Sequence, residues 1–208
     1  MDTLVTLGRT LGFSFTAGIN LYATVAVLGL VERFDWVALP PQFAVFDNNW
    51  VIGAALALYV IEFVADKIPF VDTIWDGAHT VIRPLGGALI AIATLGPADP
   101  TVQALVALLG GAVAGTTHVA KAGSRAMVNT SPEPFSNTIV SVMEDGFVFA
   151  LAAISLLVPL VALGIVAALL VVIAVFATVL IRAWRRRRAA RRARAMPLPI
   201  DPPPRRLA

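Results

Sequence analysis

The chain predicts an all-α fold, a polytopic membrane bundle of about six transmembrane helices, and three observations carry that reading. Hydrophobic residues make up 58% of the 208 and charged residues only 14%, with a mean hydropathy of +0.83. A soluble domain averages roughly a quarter charged residues, so this apolar excess needs lipid to cover it. Residues 147 to 180, FVFALAAISLLVPLVALGIVAALLVVIAVFATVL, hold no charge at all, which is enough for two helices of about 20 residues each. Finally, ten of the sixteen basic residues lie from Arg182 onward. The net charge of +3 therefore belongs to a tail, and the body is acidic.

The first expected span covers about residues 10 to 31, TLGFSFTAGINLYATVAVLGLV. It follows no basic cluster and is too long and glycine-spaced for a cleavable signal core. The second, residues 50 to 67, opens on Trp50, a residue suited to the membrane interface. The third lies within residues 70 to 96. There Pro84, Gly86 and Gly87 are expected to break it, leaving a remainder of about 20 Å that cannot alone cross a hydrocarbon layer of about 30 Å. The fourth covers residues 101 to 122 and can continue helically to Asn129. The fifth and sixth, 138 to 158 and 160 to 182, are parted by Pro159. Loop signals fall at ALPPQ (38 to 42), GPADP (96 to 100) and NTSPEPFSN (129 to 137). Residues 1 to 184 thus form a transmembrane domain, and the Arg- and Pro-rich residues 185 to 208 a disordered tail.

Basic residues stay on the cytoplasmic side. With the tail inside and an even number of spans, both termini are expected in the cytoplasm of a bacterial inner membrane. Arg9, Lys67, Arg83, Lys121 and Arg125 then point inward, and only Arg33 falls in an external loop.

That frame gathers the ionisable residues. Glu62 and Asp66 lie at the inner end of the second span, and Glu144 and Asp145 near the inner start of the fifth. Asp72, Asp76, His79 and Arg83 are spaced four, three and four, so they share one helix face. His118, Lys121 and Arg125, spaced three and four, do the same on the fourth span. Charges at the bilayer centre cost about 2.5 to 3.5 kcal/mol each on insertion scales, so an acidic face and a basic face are expected to meet. The alternative is that these groups snorkel among headgroups; Lys67 and Arg83, beside Pro69 and Pro84, fit that best. Asp72, Asp76 and His79 also resemble a metal-binding face. With two histidines, no cysteine and neither HExxH nor ExxH, no metal and no cofactor are expected.

An internal repeat is a further expectation. LGFSFTAGINLYA at 11 to 23 resembles LGGAVAGTTHVA at 109 to 120 with one gap. Halves of three spans each, 7 to 96 and 101 to 184, would be inverted in the membrane. Asn20 and Tyr22 would then sit opposite Thr117 and His118, where transporters tend to bind substrate.

At these same residues the chain resembles a known family. AGINLYAT, EFVADKIPFVDTIWD, and HVAKAGSRAMVNTSPEPFSN followed by EDG are similar to the bacterial membrane family DUF4126, over about residues 8 to 165. The resemblance implies a polytopic inner-membrane protein and no activity that carries over.

The function expected first is a small transporter or flippase-like protein with a cytoplasm-facing polar cavity for an anionic solute, a lipid headgroup or protons. His118, Lys121 and Arg125 would contact the anion, while Glu62, Asp76 and Glu144 would carry protons. The alternative is a non-catalytic accessory or assembly protein whose charged faces only join helices. A metal-dependent membrane enzyme comes last, because no nucleophile elbow, zinc signature or P-loop is present. The partners are the bilayer itself and anionic lipid at Arg185, Arg186, Arg187, Arg188, Arg191, Arg192 and Arg194, at about 1 kcal/mol per basic residue. No nucleic-acid partner is expected, since aromatic residues do not interleave with the arginines. A homo-oligomer stays open.

Overall fold

A computed structural model describes residues 3–130 and 135–195, apart from the side chains of 190–195. Among these residues every regular element is helical. The order is α1 (Thr3–Ile19), α2 (Leu21–Arg33), a 3₁₀ turn (Pro41–Phe46), α3 (Asn49–Ala65), α4 (Pro69–Leu95), α5 (Pro100–Val128), α6 (Phe135–Leu157) and α7 (Pro159–Ala195). Helices α4, α5, α6 and α7 are long and apolar enough to cross a membrane, and α3, at 17 residues, is shorter. Local chemistry sets the starts. The Asn48 carboxamide accepts from the Trp50 and Val51 amides at 2.9 and 3.3 Å, and the Asp99 carboxylate from the Thr101 amide at 2.8 Å. Proline occupies the first turn of α4 and α5, where its missing N–H costs nothing.

The segment expected to be the first span is two helices. Asn20 adopts an extended conformation (φ −146°, ψ 99°), and its side chain caps α2 by accepting from the Ala23 amide at 2.9 Å. From there the chain turns back. Along α1, Thr10 meets Thr94 of α4 at 3.1 Å, Ser14 donates to the Gly87 carbonyl at 3.4 Å, and the Gly18 carbonyl accepts from Arg83 at 3.3 Å. Along α2, Leu21 packs on Gly86 and Tyr22 bonds His79 at 3.0 Å. Gly29 then reaches Phe46 and Ile52, and Gln42 donates to the Thr94 carbonyl at 3.2 Å. So α1 descends from the Thr94 end of α4 to its middle, and α2 returns to the end it came from. This is a re-entrant hairpin with Asn20 at its tip. The ten residues from Thr10 to Ile19 rise about 15 Å, half a hydrocarbon layer of about 30 Å. The arrangement replaces the single continuous helix expected over 10 to 31 with two helices.

The third segment differs in the opposite sense. Helix α4 runs unbroken from Pro69 to Leu95 with Pro84 inside it. A single proline removes one backbone bond, and membrane helices tolerate that when neighbours pack the site. Here Gly115 of α5 lies against the Pro84 ring and Gly111 against its carbonyl, so two small residues let α5 approach the site closely.

Inverted halves are not what the helices form. Gly110 of α5 lies beside Ser14, and further along Ala114 and Thr117 lie beside Gly18. Helices α1 and α5, the segments the repeat would relate, therefore run in the same direction. Arg9 also departs from expectation. It donates to the Leu156 carbonyl at 3.4 Å, at the end where Gly8 abuts Pro159, far from Lys67.

Aliphatic and aromatic side chains fill the Thr94 end around Phe13, Leu28, Phe43, Ile90 and Leu156. The chain divides into two compact units, Met1–Leu170 and Val171–Ala208. In the second unit the helix exposes Val171, Val172, Val175, Phe176 and Val179. It stays helical through the arginines to Ala195, so the expected disorder does not begin at residue 185; residues 196–208 lie outside the described residues. So do residues 131–134 of the NTSPEPFSN segment.

Candidate functional site: a buried acid–base cluster at the hairpin tip

Four helices and the hairpin deliver all thirteen expected site residues to one place. On α4, the spacing of Asp72, Asp76, His79 and Arg83 puts all four on the buried face. On α5 the same holds for His118, Lys121 and Arg125. Glu62 and Asp66 come from the last turn and cap of α3, Glu144 and Asp145 from α6, and Asn20 and Tyr22 from the hairpin. The expectation that Arg83 snorkels is overturned, since its side chain is 0% exposed. Lys67 keeps the snorkelling role: its ammonium donates to the Phe63 carbonyl at 2.8 Å and lies 3.0 Å from the Phe63 ring centre.

Three cations organise the cluster. Arg83 donates to Glu62 Oε1 at 2.7 Å and lies 3.3 Å from Asp76 Oδ1. Lys121 donates to Asp66 Oδ2 at 3.0 Å, with Glu62 Oε1 at 3.7 Å and Glu144 Oε2 at 3.8 Å. Arg125 grips Asp72, with Nε to Oδ2 at 3.2 Å and Nη2 to Oδ1 at 3.1 Å. It also donates to the backbone carbonyls of Asn137, at 2.8 Å, and of Asp66. These contacts hold the α3–α4 connection against α5 and α6.

Breaking the first helix exposes backbone acceptors, and the cations use them. The carbonyls of Gly18 and Ile19, at the C-terminus of α1, accept from Arg83 at 3.3 Å and from Lys121 at 3.1 Å. A helix C-terminus carries partial negative charge and favours a cation. On the other side of the break, Asn20 donates to Asp145 Oδ1 at 3.1 Å. The hairpin tip thus closes the Thr94 side of the cluster, with the Gly18 and Ile19 carbonyls and the Asn20 side-chain amide nitrogen each on a charged partner.

The histidines have assignable tautomers. Arg83 donates to His118 Nδ1 at 2.8 Å, so the ring proton sits on Nε2, facing Thr80 Oγ1 at 3.3 Å. His79 reads oppositely: Nδ1 donates to the Trp75 carbonyl at 2.7 Å and Nε2 accepts from the Tyr22 hydroxyl at 3.0 Å.

Counting charges gives the cluster its chemical character. Six carboxylates (Glu62, Asp66, Asp72, Asp76, Glu144 and Asp145) face three permanent cations (Arg83, Lys121 and Arg125). All but Glu144 are buried, and Glu144 retains 17% side-chain exposure. Among the described residues, Glu62 Oε2, Asp66 Oδ1 and Asp145 Oδ2 are buried and have no hydrogen-bond donor. A cavity of about 220 Å³ opens beside Asp72, Asp76, Thr80 and Arg125 between α4 and α5, toward Asn129. Among the described residues no three His, Asp or Glu side chains are disposed to hold a metal ion.

Two partners were missed in the sequence. Asn129 donates to Asp72 Oδ2 at 2.7 Å, and Asn137 to the Asp66 carbonyl at 2.9 Å. The signal for Asn137 was present, because Asn137, Ser141 and Asp145 recur every fourth residue on the buried face of α6. The freed carbonyls at Gly18 and Ile19 had no such signal, since they exist only because the helix breaks.

Neither a curated protein nor a solved structure matches the chain. The family described as a domain of unknown function, DUF4126, matches residues 7–179, which include every residue of the cluster. The chain belongs to that family.

Proposed function

We propose that the chain is a membrane transporter that takes up protons in this cluster, from the face bearing Lys67 and Asn129. The observation that carries the reading is the surplus of carboxylates over cations in a site buried except at Glu144. An unscreened negative charge inside a membrane costs several kcal/mol, and a buried acceptor without a donor costs on the order of 1 to 3 kcal/mol. A proton relieves both, because it neutralises a carboxylate and turns an acceptor into a donor. The same count argues against an anionic solute or a lipid phosphate, since each cation already has a carboxylate partner. Glu144, at the edge and 3.8 to 4.0 Å from Lys121 and Arg125, is the group best placed to exchange protons. The cavity beside Asp72 and Asp76 supplies the entry.

The topology in this reading is five crossings, α3 to α7, plus the hairpin. With the arginines after the last apolar run held in the cytoplasm, Thr3 lies on the external side of a bacterial inner membrane. Arg182 and Arg185 to Arg188 meet anionic lipid. The chain has no cysteine, so a single introduced one reports sidedness. Thr3→Cys is expected to react with an impermeant maleimide in intact cells, and labelling only after lysis would restore the cytoplasmic N-terminus.

A second reading keeps one specific observation in its favour. Arg83 and Arg125 are almost fully enclosed by their partners, as a static brace between helices would require. Purified protein in liposomes loaded with a pH-sensitive dye separates the two. Transport predicts an acidification rate at least tenfold above empty liposomes, reduced at least tenfold by Glu144→Gln with an unchanged melting temperature. A brace predicts no flux in either protein.

A further inference from the structure

On the opposite side of the hairpin tip from the charges, the fold leaves an open apolar groove. It has a volume of about 920 Å³ and lies between α2, α3, α4 and the Pro41–Phe46 turn. Its walls are apolar, and its mouth is flanked by Val45, Val51 and Leu89, which are 60%, 37% and 67% exposed. Polar groups occur only at its two extremes. Gln42 and Gln103 lie at the Thr94 end, and Tyr22 lies at the floor.

We infer that this space is a binding site for one acyl chain of a bilayer lipid, entered from the leaflet at the Thr94 end. The dimensions fit a single leaflet. From Gly96 at the rim to Gly86 at the floor, α4 rises about 15 Å, half of a hydrocarbon layer of about 30 Å. The polarity fits an amphiphile. Two carboxamides stand where an ester or headgroup would lie, and hydrocarbon walls stand where the chain would lie. Water is a poor occupant of an apolar space, and an empty one forfeits dispersion contacts on every wall.

Occupancy reaches the charged cluster through one residue. Tyr22 forms the floor, its ring stands edge-on to His79 with centres 5.5 Å apart, and its hydroxyl donates to His79 Nε2. A chain that fills the site to its base holds Tyr22 in that rotamer. A shorter chain leaves room for it to turn away. Gly86 lets the Leu21 side chain pack directly on α4, and a side chain there would displace Leu21, the neighbour of Tyr22 on the hairpin.

The test uses the whole protein in phosphatidylethanolamine–phosphatidylglycerol liposomes containing phosphatidylglycerol with a terminal diazirine on one palmitoyl chain. After irradiation, labelled peptides are mapped. The site predicts labelling of Tyr22, Val25 and Leu58 at several times the level found on the exposed Val171 and Val175 of α7. Ala54→Trp and, independently, Ala93→Phe should fill the space and lower that labelling at least fivefold, whereas Val171→Trp should leave it unchanged. Equal labelling of all lipid-facing residues, or labelling of Tyr22 that survives either filling variant in protein of native melting temperature, would overturn the inference.

Discussion

Residues 10–31 and 70–96 are two apolar stretches of similar length, and each holds near its middle a residue that disfavours a continuous helix. In the second, that residue is Pro84, and the helix runs through it. In the first it is Asn20, a milder residue by helix propensity, and there the chain reverses. Intrinsic preference would have ranked them the other way. What decides is the surroundings. Pro84 has Gly115 against its ring and Gly111 against its carbonyl, and both leave room without a polar demand on the backbone. Asn20 faces Asp145, while Arg83 and Lys121 stand ready for the carbonyls that a break sets free. A helix breaks inside a membrane when charged partners can satisfy its loose ends.

Substitutions can push on either side of that contrast. The largest effect is expected from Arg83→Gln, which leaves Asp76 buried without its cation, Glu62 with only Lys121 at 3.7 Å, and the Gly18 carbonyl without its donor. Loss of one partner of a buried pair costs about 3 to 5 kcal/mol, so the unfolding free energy in mixed micelles should fall by that amount. A loss below about 1 kcal/mol would mean that Arg83 is solvated. Next comes Asn20→Ala. It removes a helix cap worth about 1 to 2 kcal/mol and leaves both Asp145 oxygens unpartnered. The hairpin should loosen, seen as faster amide exchange at Leu21 and Tyr22 while α4 stays protected. Pro84→Ala should do least, with α4 equally protected and stability retained within about 1 kcal/mol. If Pro84→Ala disturbs the cluster more than Asn20→Ala does, the contrast drawn between the two segments is inverted.

The all-helical membrane character was legible in composition alone, and so was the cluster. Spacings of three and four on α4 and α5 are a property of any helix, and they survived both errors of segmentation. Even the correction at Arg83 followed from the rule applied to its neighbours, because a residue on the same face as Asp72, Asp76 and His79 shares their burial. What the sequence withheld depends on contacts distant in the chain. Asn20 became a tip because Asp145, on α6, pairs with it. The expected inversion of halves rested on short Ala- and Gly-rich matches, and packing gives such matches a simpler role. Gly18 and Gly110 let parallel helices approach closely.

The account rests on protons residing in the acid-rich cluster, and infrared spectroscopy of the purified protein reads them directly. At neutral pH the wild type should show an absorption band from protonated carboxyl groups that shifts in D₂O and loses intensity in Glu144→Gln. Absence of any such band, with six ionised carboxylates and a folded protein, would contradict it.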